Sequence, residues 1–266
     1  MHISEVPMRL DRFLSGQTAL SRRELTELIR GGSVTVNDAV IRRPETAVSP
    51  ERDRITLQGR AVQYSEFHHF LLHKPAGVIT ASRDPKQKTV LDLLGSADRL
   101  PKLAPAGRLD LDTEGLLLIT DDGTRAHKMI SPKHHTAKYY LAQLAEPYDT
   151  EYEALFRSGI LLREGGSEEP CLPAECMQIG ERLAVLELHE GKYHQVRRMF
   201  AAAGNHVTHL LRFQVGALCL PPDLPAGGYI NILNKDADKA FQNSSISDAA
   251  AFCARHYSSY WIKDLK

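Results

Sequence analysis

Cysteine, tryptophan and long apolar runs are scarce in this chain. Only four cysteines (Cys171, Cys176, Cys219, Cys253) occur in 266 residues. They form no CxxC pair, so they suggest neither a disulfide scaffold nor a structural zinc site, and a reducing, cytoplasmic setting is expected. No apolar run approaches the ~18 residues of a membrane span, and the opening MHISEVPMRLDRFL has no secretory apolar core. Neither a GxGxxG after a strand nor a GxxxxGK[ST] loop is present. Histidines number twelve, and His68, His69 and His73, or His134, His135 and His194, invite a metal reading. Adjacent histidines point apart on a strand, however, and no metal is expected. Net charge is missing too: 33 basic residues balance 33 acidic ones, which at first sight argues against nucleic acid.

What is present is an ordinary globular composition, 42% hydrophobic and 25% charged, at a length that suits one large domain or two small ones. The zero charge is a sum of opposed blocks. Gly123–Ala145 carries Arg125, Lys128, Lys133 and Lys138 with no acid, and Gly191–Pro222 carries Lys192, Arg197, Arg198 and Arg212 with none. Between them Glu146–Glu190 holds eleven acids against three arginines. Such segregation allows a cationic face on a neutral protein, so polyanion binding is a live expectation.

Residues 1–60 read as a small independent unit. Leu10, Phe13 and Leu14 suggest a short helix, Ser21 with Glu24 a capping box before a second, and Gly31-Gly32 its end. Val34 and Val36 ahead of Asn37-Asp38 predict a hairpin. Beyond residue 60, strands are expected at 70–72, 116–120, 139–144, 183–188 and 216–220, with helices at 90–94, 124–129, 150–158 and 195–203. This mixture without a βαβ beat predicts an α+β fold. Glu164–Glu169 reads as a polar loop. Residues 233–266 form a C-terminal extension with a helix near Ser247 and aromatic anchors Tyr257, Tyr260 and Trp261, either docked on the domain or serving a partner.

Two segments carry the chemistry. In APAGRLDLDTEGLLLITDDG (104–123), Asp110, Asp112 and Glu114 recur at spacing two. Paired carboxylates alone fit a glycosidase or a metal site. Turn chemistry suits Asp112 and Thr113, which leaves Asp110, close to Arg108, as the better catalytic candidate. In EGKYHQVRRMFAAAG (190–204), Val196, Met199 and Phe200 share a helical face with Arg197 and Arg198 beside it.

Taken in order, these motifs resemble the RsuA-type pseudouridine synthases, which modify ribosomal RNA. Gly107-Arg108-Leu109-Asp110 with Asp112-Thr113 and Gly115-Leu116 is similar to their catalytic motif. Leu72-His73-Lys74-Pro75-Ala76-Gly77 resembles their first strand and turn, with histidine where asparagine is usual. Lys138-Tyr139-Tyr140 resembles their lysine-x-tyrosine motif, and 190–200 their late helix. Met8-Arg9-Leu10-Asp11 through Val34-Thr35-Val36 resembles an S4 RNA-binding domain. The stretch His209–Gly216 departs from the family pattern.

The resemblance implies an S4 unit (1–60), a catalytic domain (61–232) on a mixed, mainly antiparallel sheet with flanking helices, and the extension (233–266). It implies Asp110 as catalytic aspartate, Arg197 paired with it to hold it ionised, and Tyr140 stacked on the flipped uracil as the base that removes the C5 proton. Arg108 would occupy the space left by the flipped nucleotide, and Arg22, Arg23, Lys74, Lys138, Lys192 and Arg198 would contact RNA. No cofactor is implied. The expected substrate is small-subunit (16S) ribosomal RNA, free or in an assembly intermediate with ribosomal proteins, bound by a monomer. A large-subunit target, a non-catalytic ribosome-assembly protein and a carboxylate-pair glycosidase are the rivals.

Overall fold

The computed structural model describes residues 6–164 and 167–261. They fall into two compact units, one reaching to His68 and including Leu94–Leu103, the other comprising His69–Leu93 and the chain from Ala104 onward.

In the first unit β1 (Met8–Arg9) leads into α1 (Leu10–Gln17), followed by α2 (Arg22–Arg30). The capping box forms: the Ser21 hydroxyl accepts from the Glu24 amide, and the Glu24 carboxylate accepts from the Ser21 amide at 2.7 Å. Two donors at the helix start are thereby satisfied. Then come β2 (Val34–Val36), β3 (Ala39–Ile41), β4 (Ala47–Val48), β5 (Ile55–Leu57) and β6 (Arg60–Val62). Strands β3-β2-β5-β6 make one antiparallel sheet, and β4 pairs with β1. The β2–β3 turn places Asn37 and Asp38 at φ 49° and 68°, the left-handed pair that a tight hairpin requires. Leu10, Phe13 and Leu14 of α1 and Leu25 and Ile29 of α2 pack with Val34, Ile55 and Leu57 as its core. Arg22 and Arg23 stay exposed on α2, Arg23 in an ion pair with Glu27 at 3.1 Å.

One sheet organises the second unit. Its strands are β7 (His69–Lys74), β8 (Ala104–Pro105), β9 (Glu114–Thr120), β10 (Lys138–Leu144), β13 (Glu175–Gly180), β14 (Leu183–Leu188), β15 (Val207–Val215), β16 (Leu218–Cys219) and β17 (Tyr229–Asn231). The main order is β13-β14-β10-β15-β9-β7-β17, with β8 on β9 and β16 on β15. All neighbours are antiparallel except β15 on β9. With α3 (Gly123–Ile130), α4 (Glu151–Arg157) and α5 (Gln195–Ala202), this is the α+β fold with a mixed, mainly antiparallel sheet. The parallel junction pairs Arg212 with Gly115. A Cβ on Gly115 would lie 2.2 Å from the Arg212 carbonyl oxygen, and its φ is +113°, so only glycine fits at the head of β9.

One feature differs from expectation. The central strand β15 falls where the sequence suggested only a later strand at 216–220. Leu210–Val215 are buried throughout, Arg212 and Gln214 included, so the alternation that marks a half-buried strand is missing. The extension takes the docked form of its two expected alternatives. After α6 (Asn234–Ala237), α7 (Ile246–His256) sends Ala249, Ala250 and Cys253, with Tyr257 and Trp261 beyond it, into the same core as Tyr139, Leu211 and Phe213. Tyr257 donates its hydroxyl to the Leu220 carbonyl at 2.8 Å, and Tyr260 donates to Glu114 at 3.0 Å. Of the polar loop at Glu164–Glu169, residues 165 and 166 lie outside the described residues. Its flanks pair as β11 (Leu161–Glu164) and β12 (Ser167–Pro170).

Candidate active site

Asp110 stands on the loop between β8 and β9, and the interior holds that loop in place. Thr80 donates its hydroxyl to the Leu109 carbonyl at 2.7 Å and accepts from the Leu109 amide at 3.2 Å. The Gly77 amide donates to the Leu111 carbonyl at 2.8 Å. Lys74, at the end of β7, donates Nζ to the carbonyls of Pro75, Leu111 and Thr113 at 3.0, 3.3 and 2.8 Å. Backbone on both sides of Asp110 is therefore anchored, while its carboxylate is one-third exposed, at 33%. This corrects the expectation for Lys74. It is fully buried and serves loop carbonyls that would otherwise lack donors, so it cannot touch RNA. Burial pushes its ammonium down to about 8, against the carboxylates of Asp112, Glu114 and Asp110 that favour the charge.

The turn before α5 meets this loop from the other side. Gln195 braces it, accepting from the Lys192 amide at 2.9 Å and donating to Glu190 at 2.6 Å. His194 adopts a left-handed φ of 48°, uncommon for a non-glycine residue and concentrated at functional sites. Its Nε2 lies 3.7 Å from Asp110 Oδ1, and the Tyr193 ring stacks on it with centroids 3.9 Å apart. Arg197 does not make the expected pair with Asp110. Its Nη1 donates to the Val207 carbonyl at 2.8 Å, which aims Nη2 at Asp112 Oδ2, 2.9 Å away. Lys192 and Arg198 share the carboxylate of Glu169 at 2.9 and 3.4 Å. Lys192 first, then Arg198, keeps that carboxyl below the ordinary glutamate range.

Asp110, Arg108, Tyr140, Tyr193 and His194 line one cavity of about 400 Å³. Tyr140, on β10, is almost fully buried. Arg108 and Tyr140 also border a second cavity of about 350 Å³ with Lys138, Arg212 and Ile130. Lys138 donates to the Thr136 carbonyl at 3.1 Å. Burial first, then the Arg212 cation, pushes it down to about 8. The Arg212 guanidinium is spent inside, with Nε and Nη2 both donating to the Leu116 carbonyl at 3.0 and 2.8 Å. Arg125, from the first basic block, likewise pairs with Asp238 at 2.8 Å. The structure thus joins Asp110, Tyr140 and Arg108, sets Lys138 beside them, keeps Lys192 and Arg198 near the rim, and buries Lys74. Arg22 and Arg23 belong to the other unit. Sequence reasoning passed over Tyr193 and weighed His194 only as a metal ligand, although both sit inside the quoted late-helix motif. Among the described residues, no group of histidine, cysteine, aspartate or glutamate could hold a metal, and no helix is long and apolar enough to cross a membrane.

Residues 68–202 match the model of the RNA pseudouridylate synthase family, and residues 8–55 match the S4 domain. The chain belongs to the RNA pseudouridylate synthase family. The synthase is 42% identical over 222 residues to the ribosomal small subunit pseudouridine synthase A of Vibrio cholerae, covering 84% of this chain and 94% of that one. It is 37% identical to the protein of the same name from Haemophilus influenzae, covering 87% and 99%. A crystal structure of a pseudouridylate synthase, 36% identical, superposes with a TM-score of 0.61 over 88% of this chain and 99% of that one. The synthase is an isomerase whose substrate is RNA.

Proposed function

We propose that the synthase converts one uridine of small-subunit (16S) ribosomal RNA to pseudouridine, with Asp110 as the catalytic carboxylate. The observation that carries this reading is the single cavity in which Asp110, Tyr140 and Arg108 converge. The names borne by the Vibrio cholerae and Haemophilus influenzae relatives support the small-subunit target. The target base must leave its stack, which costs a few kcal/mol and calls for a stacking surface in the pocket. Tyr140 supplies that surface, and Arg108, exposed and without a polar partner among the described residues, fills the gap left in the RNA. Asp110 then attacks C1′, forming an ester bond that breaks again when C5 bonds to C1′, or removes the C2′ proton and later returns it. The C1′–N1 bond breaks with its electron pair left on the uracil, the base turns, C5 bonds to C1′, Tyr140 takes the C5 proton, and N1 ends protonated. Arg197 acts as a positioning residue through Asp112. Lys138, Lys192 and Arg198 meet phosphates near the cavity, Arg22 and Arg23 meet RNA on the S4 unit, and the enzyme works as a cytoplasmic monomer on free RNA or an assembly intermediate.

Pseudouridine mapping in a deletion strain, complemented with wild type or Asp110→Asn, tests the reading. One 16S site should vanish on deletion and return with wild type only. A vanished site in large-subunit RNA would move the target. No vanished site, or rescue by Asp110→Asn, would overturn the synthase assignment to Asp110.

A further inference from the structure

Most exposed apolar side chains on this molecule are scattered aliphatics, but three gather around the Asp110 loop. Leu111 adjoins Asp110 in sequence, Ile130 lines the cavity shared with Arg108 and Tyr140, and Tyr193 lines the Asp110 cavity itself. Tyr193 is 65% exposed and, among the described residues, is the only aromatic in that exposed set. Its ring is not loose: it lies flat on His194, with an interplanar angle of 16°. His194 in turn has a left-handed backbone, and its Nε2 lies 3.7 Å from Asp110 Oδ1. The cavity therefore has two aromatic levels, a buried ring at Tyr140 and an exposed, pre-oriented pair at its mouth. Tyr140 gives the flipped base its stacking face, which leaves the exposed pair available to a second base.

We infer that the Tyr193–His194 pair is a stacking platform for the unpaired base of the nucleotide next to the target uridine, so that the enzyme grips two unstacked nucleotides. This rests on the reading of the Asp110 cavity as the uridine site. Stacking on aromatic side chains is the usual way proteins hold splayed single-stranded bases, and it is sequence-tolerant because every base has a π-face. It adds affinity without entering the bond rearrangement, so it should be read in KM and not in kcat.

The test uses the full-length enzyme and a synthetic RNA hairpin carrying the mapped uridine, with the nucleotide on its 5′ or its 3′ side intact or abasic. Tyr193 is exposed, so Tyr193→Ala leaves the fold in place, and thermal melting checks this. Tyr193→Ala should raise KM about tenfold on intact RNA with kcat unchanged, and Tyr193→Phe should restore it. On RNA abasic at one flanking position, wild type and Tyr193→Ala should become equal. An unchanged KM for Tyr193→Ala, or an equal penalty on intact RNA and on both abasic RNAs, would overturn the platform. If wild type forms no pseudouridine in intact RNA, the uridine-site reading fails and the platform falls with it.

Discussion

The loop that carries Asp110 and the turn that carries His194 approach to 3.7 Å, yet they are held by opposite means. The loop is fastened from inside by a buried ammonium and a buried hydroxyl acting on its backbone. The turn is braced at its end by Gln195 but otherwise faces solvent, with an exposed tyrosine, a left-handed histidine and cations clipped to the half-exposed Glu169. Interior hydrogen bonds fix a carboxylate to a fraction of an ångström, as group transfer demands. Surface ion pairs are weak and salt-screened, so they yield readily to a polyanion. Damage to the loop should therefore be read in kcat, and damage to the turn in KM.

Short of removing the carboxylate itself, Lys74→Met should have the largest effect. It leaves the Leu111 and Thr113 carbonyls without their donor and lets Asp110 drift, lowering kcat by roughly 10²-fold. KM should hold steady, because Lys74 never reaches the RNA. A raised KM at constant kcat would break the contrast between the two sides.

A middle-sized effect follows from Lys138. Its folded pKa lies below the usual lysine value, at about 8, so its charge is present below that pH and lost as pH rises through it. RNA affinity should weaken across this window by the loss of one phosphate contact, and Lys138→Arg should flatten the change because guanidinium stays charged. Binding isotherms at several pH values check it. Glu169→Gln should act in the other direction. It removes one anionic partner of Lys192 and Arg198, which leaves them more available to phosphate, lowers KM a few-fold and steepens the salt dependence of binding. The smallest effect belongs to Asp112→Ala. Asp112 is 61% exposed in its pair with Arg197, and exposed pairs contribute about 0–1 kcal/mol. Its kcat should fall less than about fivefold, and a larger loss would promote Asp112 from support to chemistry.

Local signals proved legible wherever one residue type has one physical use. Ser21 with Glu24, Asn37-Asp38 and the strand at Leu183–Leu188 all stand where their patterns placed them. So does the α5 start at Gln195, while Arg108, Asp110 and Tyr140, grouped by the family resemblance rather than by any local pattern, line one cavity. What escaped depends on direction and depth. A lysine beside a proline reads as solvated, and only the fold reveals that Lys74 points inward at carbonyls. Arg197 could serve either of two aspartates two residues apart, and its hydrogen bond to Val207 decides for Asp112. Strand β15 hides because burial on both faces erases alternation. For the extension the helix and its aromatic anchors were legible but the choice between docking and a partner was not, because small residues such as Ala249, Ala250 and Cys253 seat a helix closely without an obvious amphipathic stripe.

The most direct test is a single-turnover assay of Asp110→Asn, with enzyme in excess over RNA tritiated at uridine C5 and binding measured in parallel. RNA affinity should match wild type while tritium release stays at background. Release at a rate near wild type, or loss of binding together with turnover, would contradict the account that this loop performs the chemistry while the opposing turn holds the RNA.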